Sequence, residues 1–259
     1  RQNIFAASVN FQMQTVNLML SAMYQASDGR PLPTAKQMMF RANKPVSQDL
    51  LYSGDLFVIE RGVAGIIYLN SSAQATEVNM VGFEGIFPLA PLLNVVGPQG
   101  YTVVPQLGEL HVNLINGDDF REWSKDNQEI NRIMLQYLYF LLADKNMFIS
   151  SAHTRGVEER TARTLLMLHD RTFGDTIPVT HDQISQMVSS HRPTITNVLR
   201  ALEESNAIQT RRGLIEILDR SILIERAADS YGHAEQLYSE HIAPFGTAGK
   251  WADRAAWAA

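Results

Sequence analysis

The sequence contains no cysteine in its 259 residues. This absence excludes disulfide bonds, zinc sites with thiolate ligands, cysteine-held iron–sulfur clusters and thiol-based redox sensing within this chain. Apolar runs are short, and none approaches the 18 residues that a membrane-spanning helix needs. The first residues also lack the pattern of a signal peptide. These absences predict a cytoplasmic protein that does not enter a membrane.

Charged residues are scarce, at 19% of the chain, and their formal balance is −5. This acidic balance argues against a protein that coats nucleic acid indiscriminately, although a sequence-specific binder needs only a local basic face. A hydrophobic content of 45% is typical of a soluble globular protein, and the length suffices for two domains.

Clustered metal ligands are missing from residues 38–115, which contain neither a His-x-His pair nor a His/Glu cluster. A metalloenzyme built on a β-domain would need such a cluster. We therefore expect no enzymatic activity, no catalytic residue, no metal and no cofactor. His111 and His153 are candidates for a haem ligand, but no repeated histidine spacing accompanies them, and we interpret them as surface or internally bonded histidines.

Residues 180–202 have the pattern of two short helices joined by a tight turn. Thr180 and Gln183 form a capping-box start for the first helix, and Pro193 falls in the first turn of the second, where its missing N–H is harmless. Apolar residues at helical spacing predict the buried positions: Ile184, Met187, Val188, Ile195, Val198, Leu199 and Leu202. The outward positions are all hydrogen-bonding residues: Arg192, Thr194, Thr196, Asn197 and Arg200.

No acidic residue lies between Gln183 and Leu202, although the whole chain is acidic. A surface that faces phosphates needs such a local absence of negative charge. Any amphipathic pair of helices also has a polar face, so the two helices alone do not decide between DNA binding and simple solvation.

The flanking segments add evidence. Residues 207–218 alternate apolar and polar around Arg211, Arg212 and Gly213, which predicts a hairpin with a basic tip. Residues 157–169 predict a third helix that can close a small core. The order of helix, helix, recognition helix and hairpin is that of a winged helix-turn-helix.

Residues of about 155–230 resemble the DNA-binding domain of the Crp/Fnr family of bacterial transcription regulators. The resemblance is carried by the strings EERTARTLLMLHDR, THDQISQMVSSHRPTITNVLRALEESNAI and RRGLIEILDR. It implies that Arg192 makes a bidentate contact to a guanine edge. It also implies that Thr180 and His181 touch phosphates, which positions the protein without reading bases.

Three positions depart from the family's Ser-Arg-Glu-Thr-Val pattern. His191 replaces the serine, Pro193 replaces the glutamate, and Asn197 replaces the next basic residue on the same face. Proline cannot accept a hydrogen bond from cytosine, and asparagine suits adenine better than guanine. The preferred DNA site should therefore differ from the family's best-known consensus.

The N-terminal part predicts a helix over about residues 8–26, followed by short β-branched and aromatic runs from 38 to 115. Strands of this length at about ten-residue spacing are typical of a β-sandwich or jelly roll. The string SGDLFVIERGVAGIIYLNSSAQATEVNMVGFEGIFPLAPLL resembles the double-stranded β-helix sensor domain of the same family, with Gly62 at the bend before a strand.

This sensor-like stretch lacks the phosphate cassette of the family's cyclic-nucleotide-binding members. Pro88 and Leu89 stand where those members have Gly-Glu, and Gln99 and Gly100 stand where they have Arg-Ser or Arg-Thr. Because a buried phosphate without a paired cation is costly, we expect no tight binding of cAMP or cGMP. The apolar, proline-rich replacement fits core packing better than a pocket for an uncharged ligand, which stays the alternative.

Residues 126–151 predict a long helix that is apolar on nearly every side, so that every side must be covered. The resemblance implies a dimer helix that forms a parallel coiled coil with its twin. One heptad row would contain Met134, Leu141 and Phe148 and the other Ile130 and Tyr137, interrupted by Asp144. A central helix buried within one monomer is the alternative.

Together these patterns predict an α+β protein. Its expected parts are a sensor domain (1–125), a dimerisation helix (126–152), a winged helix-turn-helix domain (153–230) and a tail (231–259). The expected function is transcription regulation by a homodimer on double-stranded DNA with an inverted-repeat operator. RNA polymerase is an expected partner, and the sequence identifies no small-molecule effector. The alternative is a small-molecule-binding or protein-interaction module in which the winged helix is a docking surface.

Overall fold

The structure, a computed structural model, describes residues 8–9, 15–69, 75–95, 97 and 100–246. The chain forms two compact units, Arg1–Gln136 and Tyr137–Ala259. None of the helices in the described ranges combines the length and apolar character that a membrane crossing requires.

The N-terminal unit is built from two antiparallel sheets. Its strands are β1 (Ser8–Val9), β2 (Ala35–Phe40), β3 (Asp55–Arg61), β4 (Ala64–Leu69), β5 (Ala75–Val81), β6 (Ile86–Phe87), β7 (Tyr101–Pro105) and β8 (Leu110–Asn116). One sheet has the order β1-β2-β8-β3-β6 and the other β5-β4-β7. The helices are α1 (Leu18–Gln25), α2 (Gln48–Leu51) and α3 (Gly117–Ser124).

The core of this unit fills with the apolar residues that alternate along the strands. Phe57 of β3 meets Phe40 of β2 and Phe87 of β6 edge-on, with ring centroids 6.0 and 4.9 Å apart. Val103 of β7 belongs to the same cluster. At the bend between β3 and β4, Gly62 has φ +91°, and a Cβ there would lie 2.4 Å from the carbonyl oxygen of Glu109. The predicted glycine bend is therefore required by both conformation and space.

The first helix is shorter than the predicted span of about 8–26. Ser8–Val9 is a strand that pairs with β2, and α1 begins only at Leu18. Asn17 fixes this start because its side-chain oxygen accepts from the Leu20 N–H at 2.9 Å. Its amide donates to the carbonyls of Ile59 and Gly85 at 2.9 and 2.8 Å. The prediction was wrong at residues 8–9, which form a strand, and at residues 15–17, which precede the helix. Residues 10–14 of the predicted span lie outside the described residues.

The proline-rich stretch that replaces the phosphate cassette divides between core and surface. Phe87 is buried, Pro88 and Leu89 are half-buried, and Leu93 and Val95 are 55% and 58% exposed. Core packing therefore accounts for the beginning of the stretch and not for its end. Gln99 lies outside the described residues.

The C-terminal unit contains most of a long helix and a small winged-helix fold. Its elements are α4 (Gln128–Thr154), α5 (Val157–Asp170), β9 (Thr176–Ile177), α6 (His181–Met187), α7 (Arg192–Glu204), β10 (Ile208–Arg211), β11 (Leu214–Ile217), α8 (Arg220–Ala227), a 3-10 turn (Ala228–Ser230) and α9 (His233–His241). The strands form a sheet of order β10-β11-β9. Residues 247–259 of the predicted tail lie outside the described part of the chain.

Helix α4 has two different apolar faces. Tyr137 and Phe140 are buried within the C-terminal unit, and Asp144 on the same face pairs with Arg163 of α5 at 2.7 Å. Large apolar side chains are exposed on the opposite face: Leu135 (68%), Tyr139 (59%), Leu142 (55%) and Ile149 (50%). The predicted heptad row of Ile130 and Tyr137 is therefore wrong, because both side chains are covered by their own chain. Asp144 is equally committed to an internal ion pair.

Candidate nucleic-acid interface

The two helices that carry the candidate interface are held by a fully buried apolar core. Ile184 of α6 and Ile195, Leu199 and Leu202 of α7 are at most 1% exposed, as the helical spacing predicted. Val198, placed in the same stripe by the sequence, is only half-buried. This packing fixes the rotation of α7 about its axis, and so fixes which of its side chains face solvent.

The start of α6 is the predicted capping box. The Gln183 N–H donates to Thr180 Oγ1 at 3.2 Å, and the Thr180 N–H donates to Gln183 Oε1 at 3.0 Å. Thr180 remains exposed. A helix N-terminus with exposed hydrogen-bonding groups is suited to an anionic oxygen such as that of a phosphate.

The turn between α6 and α7 is fixed by contacts that the sequence did not reveal. Ser189 adopts φ +52°, and the Ser190 N–H donates to the Ser185 carbonyl at 2.9 Å. Arg160 of α5 reaches across to donate to the Val188 carbonyl at 2.8 Å. Because Arg160 lies 28 residues upstream of Val188, no local pattern could have identified this bond. It joins α5 to the end of α6, directly before the turn.

Helix α7 begins with Arg192 and Pro193 and presents most of the predicted outward residues to solvent. Arg192, Thr194, Asn197 and Arg200 are exposed. Arg200 Nη2 lies 3.4 Å from Asn197 Oδ1, which is a long hydrogen bond that a base edge could replace. The exposed side chains of this face can therefore both donate and accept hydrogen bonds.

Thr196 differs from the other predicted outward residues. It is half-buried, and its hydroxyl lies 3.2 Å from His181 Nδ1. This pair joins the first turn of α6 to the middle of α7. The structure therefore brings two predicted site residues together, and it engages the Thr196 hydroxyl before any ligand is bound.

The hairpin β10–β11 is the predicted wing, with Gly213 at φ +74° in its turn. Glu203 of α7 anchors it, because its carboxylate accepts from the Thr210 N–H at 2.6 Å and from the Thr210 hydroxyl at 2.7 Å. Arg211 and Arg212 are both exposed. Arg211 is 3.3 Å from Glu216 and 3.0 Å from Gln209, so part of its charge is balanced within the wing.

The other candidates from the sequence lie apart from this surface. His111 is half-exposed and 3.6 Å from Glu109, and His153 is exposed in the last turn of α4. In the described part of the chain, no three histidine, aspartate or glutamate side chains come together as a metal site requires.

Comparison with known proteins gives a family for the helix-turn-helix part of the chain. A sequence model of the Crp-like helix-turn-helix domain matches residues 159–226, which include α6, α7 and the wing. FixK2 from Bradyrhizobium japonicum has a similar structure, with a TM-score of 0.62, 12% identity, and coverage of 75% of this chain and 98% of that chain. The match places residues 159–226 in the Crp-like helix-turn-helix family, and the solved Crp/Fnr regulator shares the fold of the chain. The predicted α+β fold with a winged helix-turn-helix is confirmed.

Two further Crp/Fnr structures, both from Thermus thermophilus, show the same fold. The CRP/FNR family regulator TTHA1359 has a TM-score of 0.58 and 20% identity, and the match covers 74% of this chain and 97% of that chain. The CRP family regulator TTHB099 has a TM-score of 0.58 and 19% identity, and the match covers 73% and 95%. A comparison with curated protein sequences finds no significant match. At these identities the solved structures establish the fold and leave residue roles to the geometry of this chain.

Proposed function

We propose that this chain is a cytoplasmic, sequence-specific transcription regulator of the Crp/Fnr type that binds an inverted-repeat operator as a homodimer. The observation that carries the proposal is the solvent-facing surface of α7, where Arg192, Asn197 and Arg200 are exposed on a helix whose rotation is fixed by its core. An exposed, acid-free helix face after a tight turn can enter the major groove.

Base readout is assigned to the first half of α7. Arg192 donates two parallel hydrogen bonds to guanine O6 and N7, and Asn197 pairs with adenine N6 and N7. Thr194 and Thr196 contribute through their methyl or hydroxyl groups, and Arg200 extends the same face. Because Pro193 has no side-chain acceptor, the base next to the guanine is selected less strongly than a glutamate would select it.

Phosphate contacts are assigned to residues that flank this helix. Thr180 and His181 lie at the N-terminus of α6, and Arg211 and Arg212 lie at the tip of the wing. Such contacts position the protein along the duplex and make the affinity fall steeply with salt. Phosphate would compete with Glu216 for Arg211.

The homodimer is assigned to the exposed apolar face of α4. Leu135, Tyr139, Leu142 and Ile149 are spaced by four, three and seven residues, which matches a coiled-coil seam. Asn146 lies four residues after Leu142 and three before Ile149, so it occupies the remaining position of this heptad row. A single polar residue at such a position favours one register of two parallel helices, at a cost in stability. Two copies then place their α7 helices about one DNA turn apart.

The experiment that tests this function is quantitative binding to the chain's own promoter region. Replacement of Arg192 by alanine should weaken specific binding by about 1 to 3 kcal/mol, because two hydrogen bonds to guanine are lost. Fluorescence anisotropy at fixed salt measures the difference. Arg41→Ala, which removes an exposed arginine from the N-terminal unit, is the matched control and should bind as wild type does. Equal affinities of wild type and Arg192→Ala would remove Arg192 from base readout.

A second candidate function is that of an interaction module whose winged helix docks a protein or responds to a small molecule. The exposed Leu214 and Leu218 at the wing, 38% and 53% exposed, favour this reading because apolar side chains are not needed at phosphates. Footprinting against genomic fragments separates the two. Protected inverted repeats support the regulator, and no protection at any fragment supports the docking surface. Under either function, RNA polymerase and the effector remain partners to be identified by experiment.

A further inference from the structure

The segment that follows the winged-helix fold packs back onto the long helix through aromatic rings. Tyr238 of α9 and Phe245 are both fully buried, with their ring centroids 5.1 Å apart. Phe140 of α4 lies 5.0 Å from the Tyr238 ring and 6.3 Å from the Phe245 ring. Tyr137, one turn earlier on α4, lies 6.4 Å from Tyr238. Tyr238 and Phe245 lie beyond the Crp-like domain match, which ends at residue 226.

The same segment also bonds to α5. The guanidinium of Arg171, at the end of α5, lies 5.3 Å from the ring centroid of Phe245. Tyr231 donates its hydroxyl to Asp170 of α5 at 2.6 Å. The segment therefore contacts both the long helix and the winged-helix domain. We refer to residues 231–246 as the C-terminal latch.

Arg163 of α5 ties the base of the latch to α4. Its Nη2 donates to Asp144 of α4 at 2.7 Å, and its Nε donates to the Ser230 carbonyl at 2.8 Å. All these groups are buried. One side chain therefore holds the helix and the start of the latch together.

Glu235 is a buried carboxyl group within the latch, on α9. It accepts from the Gly232 N–H at 2.9 Å, and Gly246 closes over it with φ +62°. A Cβ at Gly246 would lie 2.7 Å from the Cβ of Glu235, so the fit is close. Two acidic groups face Glu235, namely Asp170 of α5 and Asp144 of α4. The cation that faces it is Arg163 of α5. Tyr231 of the latch interacts with Glu235 and lies close to Gly246. Burial, then Asp170 and Asp144, raises the pKa of Glu235 to about 7, while Arg163 opposes the shift.

We propose that the C-terminal latch fastens the winged-helix domain to α4, opens as a unit while that domain stays folded, and opens more readily when Glu235 carries a charge. The aromatic contacts supply the closing force, since Tyr238 and Phe245 lose their apolar surroundings when the latch opens. The proposal concerns the chain itself and holds whether or not the chain binds DNA.

The effect of pH has a definite sign. A carboxyl group whose pKa is higher in the closed state favours closure fully below the ordinary value of 4.5, and this contribution disappears as pH rises through about 7. The latch should therefore be tightest in acid and loosest above neutral pH. Asp170 shares the direction, because burial raises its pKa, while Arg220 and the hydrogen bond from Tyr231 oppose the shift.

The absence of cysteine makes a direct test available, because a single introduced thiol reports the exposure of its own position. Ala234→Cys places a thiol at a buried position of α9, and Gln236→Cys places one at an exposed position of the same helix. The ratio of the two reaction rates with a thiol reagent measures latch opening. The ionisation of the thiol affects both rates alike, so its effect cancels in the ratio. Ser239→Cys, whose hydroxyl bonds Phe245, gives a second report. Ala207→Cys, fully buried in the winged-helix core, reports unfolding of the domain.

The expected result has three parts. The thiols at 234 and 239 are protected relative to 236, and Phe245→Ala reduces that protection by about a hundredfold, since a buried phenylalanine is lost. The thiol at 207 stays protected throughout. Between pH 6 and pH 8 the protection at 234 falls by about tenfold, and Glu235→Gln, which keeps the acceptor for Gly232, abolishes the pH dependence.

Three results would overturn the proposal. Equal labelling of all three latch positions would show that the latch is not closed. Simultaneous exposure of 207 and 234 would show that the segment opens only when the domain unfolds. An unchanged pH dependence in Glu235→Gln would remove the role of that carboxyl group.

Discussion

At the scale of the residue, buried charge sets the stability of the winged-helix domain. Asp170 is fully buried and bonds Arg220 at 2.6 Å and Tyr231 at 2.6 Å. Beside it, burial and then Arg220 lower the pKa of His169 to about 4, so this imidazole stays neutral in the fold. A charge in such a place is stable only while its partners remain.

Replacement of Arg220 by alanine should therefore destabilise the protein by about 3 to 5 kcal/mol, because Asp170 is left charged and buried without its cation. Urea denaturation followed by far-UV circular dichroism measures the loss. The matched control is Arg132→Ala, which breaks the Arg132–Glu129 pair at 2.7 Å on an exposed helix face. An exposed pair contributes about 1 kcal/mol or less. Equal losses in the two variants would contradict the proposed importance of burial.

The sequence predicted single residues where a local pattern carries the information. Thr180 and Gln183 are three apart and form the capping box, and Pro193 lies in the first helical turn. Contacts between residues far apart in the sequence could not be predicted from such local patterns. Arg160 at the turn and the His181–Thr196 pair join segments that only folding brings together. The roles of Arg192, Asn197 and the wing arginines in DNA binding remain predictions.

At the scale of the element, α4 shows why a helix can be predicted more easily than its surroundings. Apolar residues occur on all its sides, so periodicity predicts a helix but cannot tell which row meets which neighbour. In the structure, Tyr137 and Phe140 are buried within the chain. The exposed apolar residues are Leu135, Tyr139, Leu142 and Ile149. The start of α1 is a similar case, because Asn17 is fixed by carbonyls of distant strands.

Replacement of Leu142 by aspartate should convert the proposed homodimer into a monomer. The substitution places a charge in the middle of the exposed row, where pairing would bury it without a partner. Light scattering at micromolar concentration should then report 29.0 kDa in place of twice that mass. Lys44→Glu, an exposed change in the N-terminal unit, is the control and should keep the wild-type mass. A wild-type chain of 29.0 kDa at this concentration would defeat the dimer itself.

At the scale of the whole molecule, the order of the β-rich unit, the long helix and the winged helix was predictable from the sequence, whereas the identity of an effector was not. Short strands at regular spacing indicated the β-rich unit, and the helix-turn-helix strings indicated the other. Cyclic-nucleotide binding would need the Gly-Glu pair and the later Arg-Ser or Arg-Thr of the family's phosphate cassette. At those positions this chain has Pro88 and Leu89, then Gln99 and Gly100, which offer neither a carboxylate nor a cation.

Isothermal titration with cAMP or cGMP should accordingly give no binding near micromolar affinity. We expect this result because burying a phosphate without a positively charged partner costs free energy. A cyclic-nucleotide-binding protein of the same family, titrated in the same buffer, controls for the quality of the ligand. Tight binding by this chain would require a cation that the loop sequence does not supply, and would overturn the expectation that cAMP and cGMP are not its effectors.

The two-faced α4 has a genetic consequence. The exposed apolar residues of α4, which are proposed to form the dimer, are separate from the DNA-reading residues of α7. A subunit that can no longer bind DNA should therefore still pair with intact subunits. If the homodimer is the reading unit, one defective subunit then disables the whole pair. Loss of Arg192 in one allele should therefore be dominant, with most pairs inactive even when half of the subunits are sound.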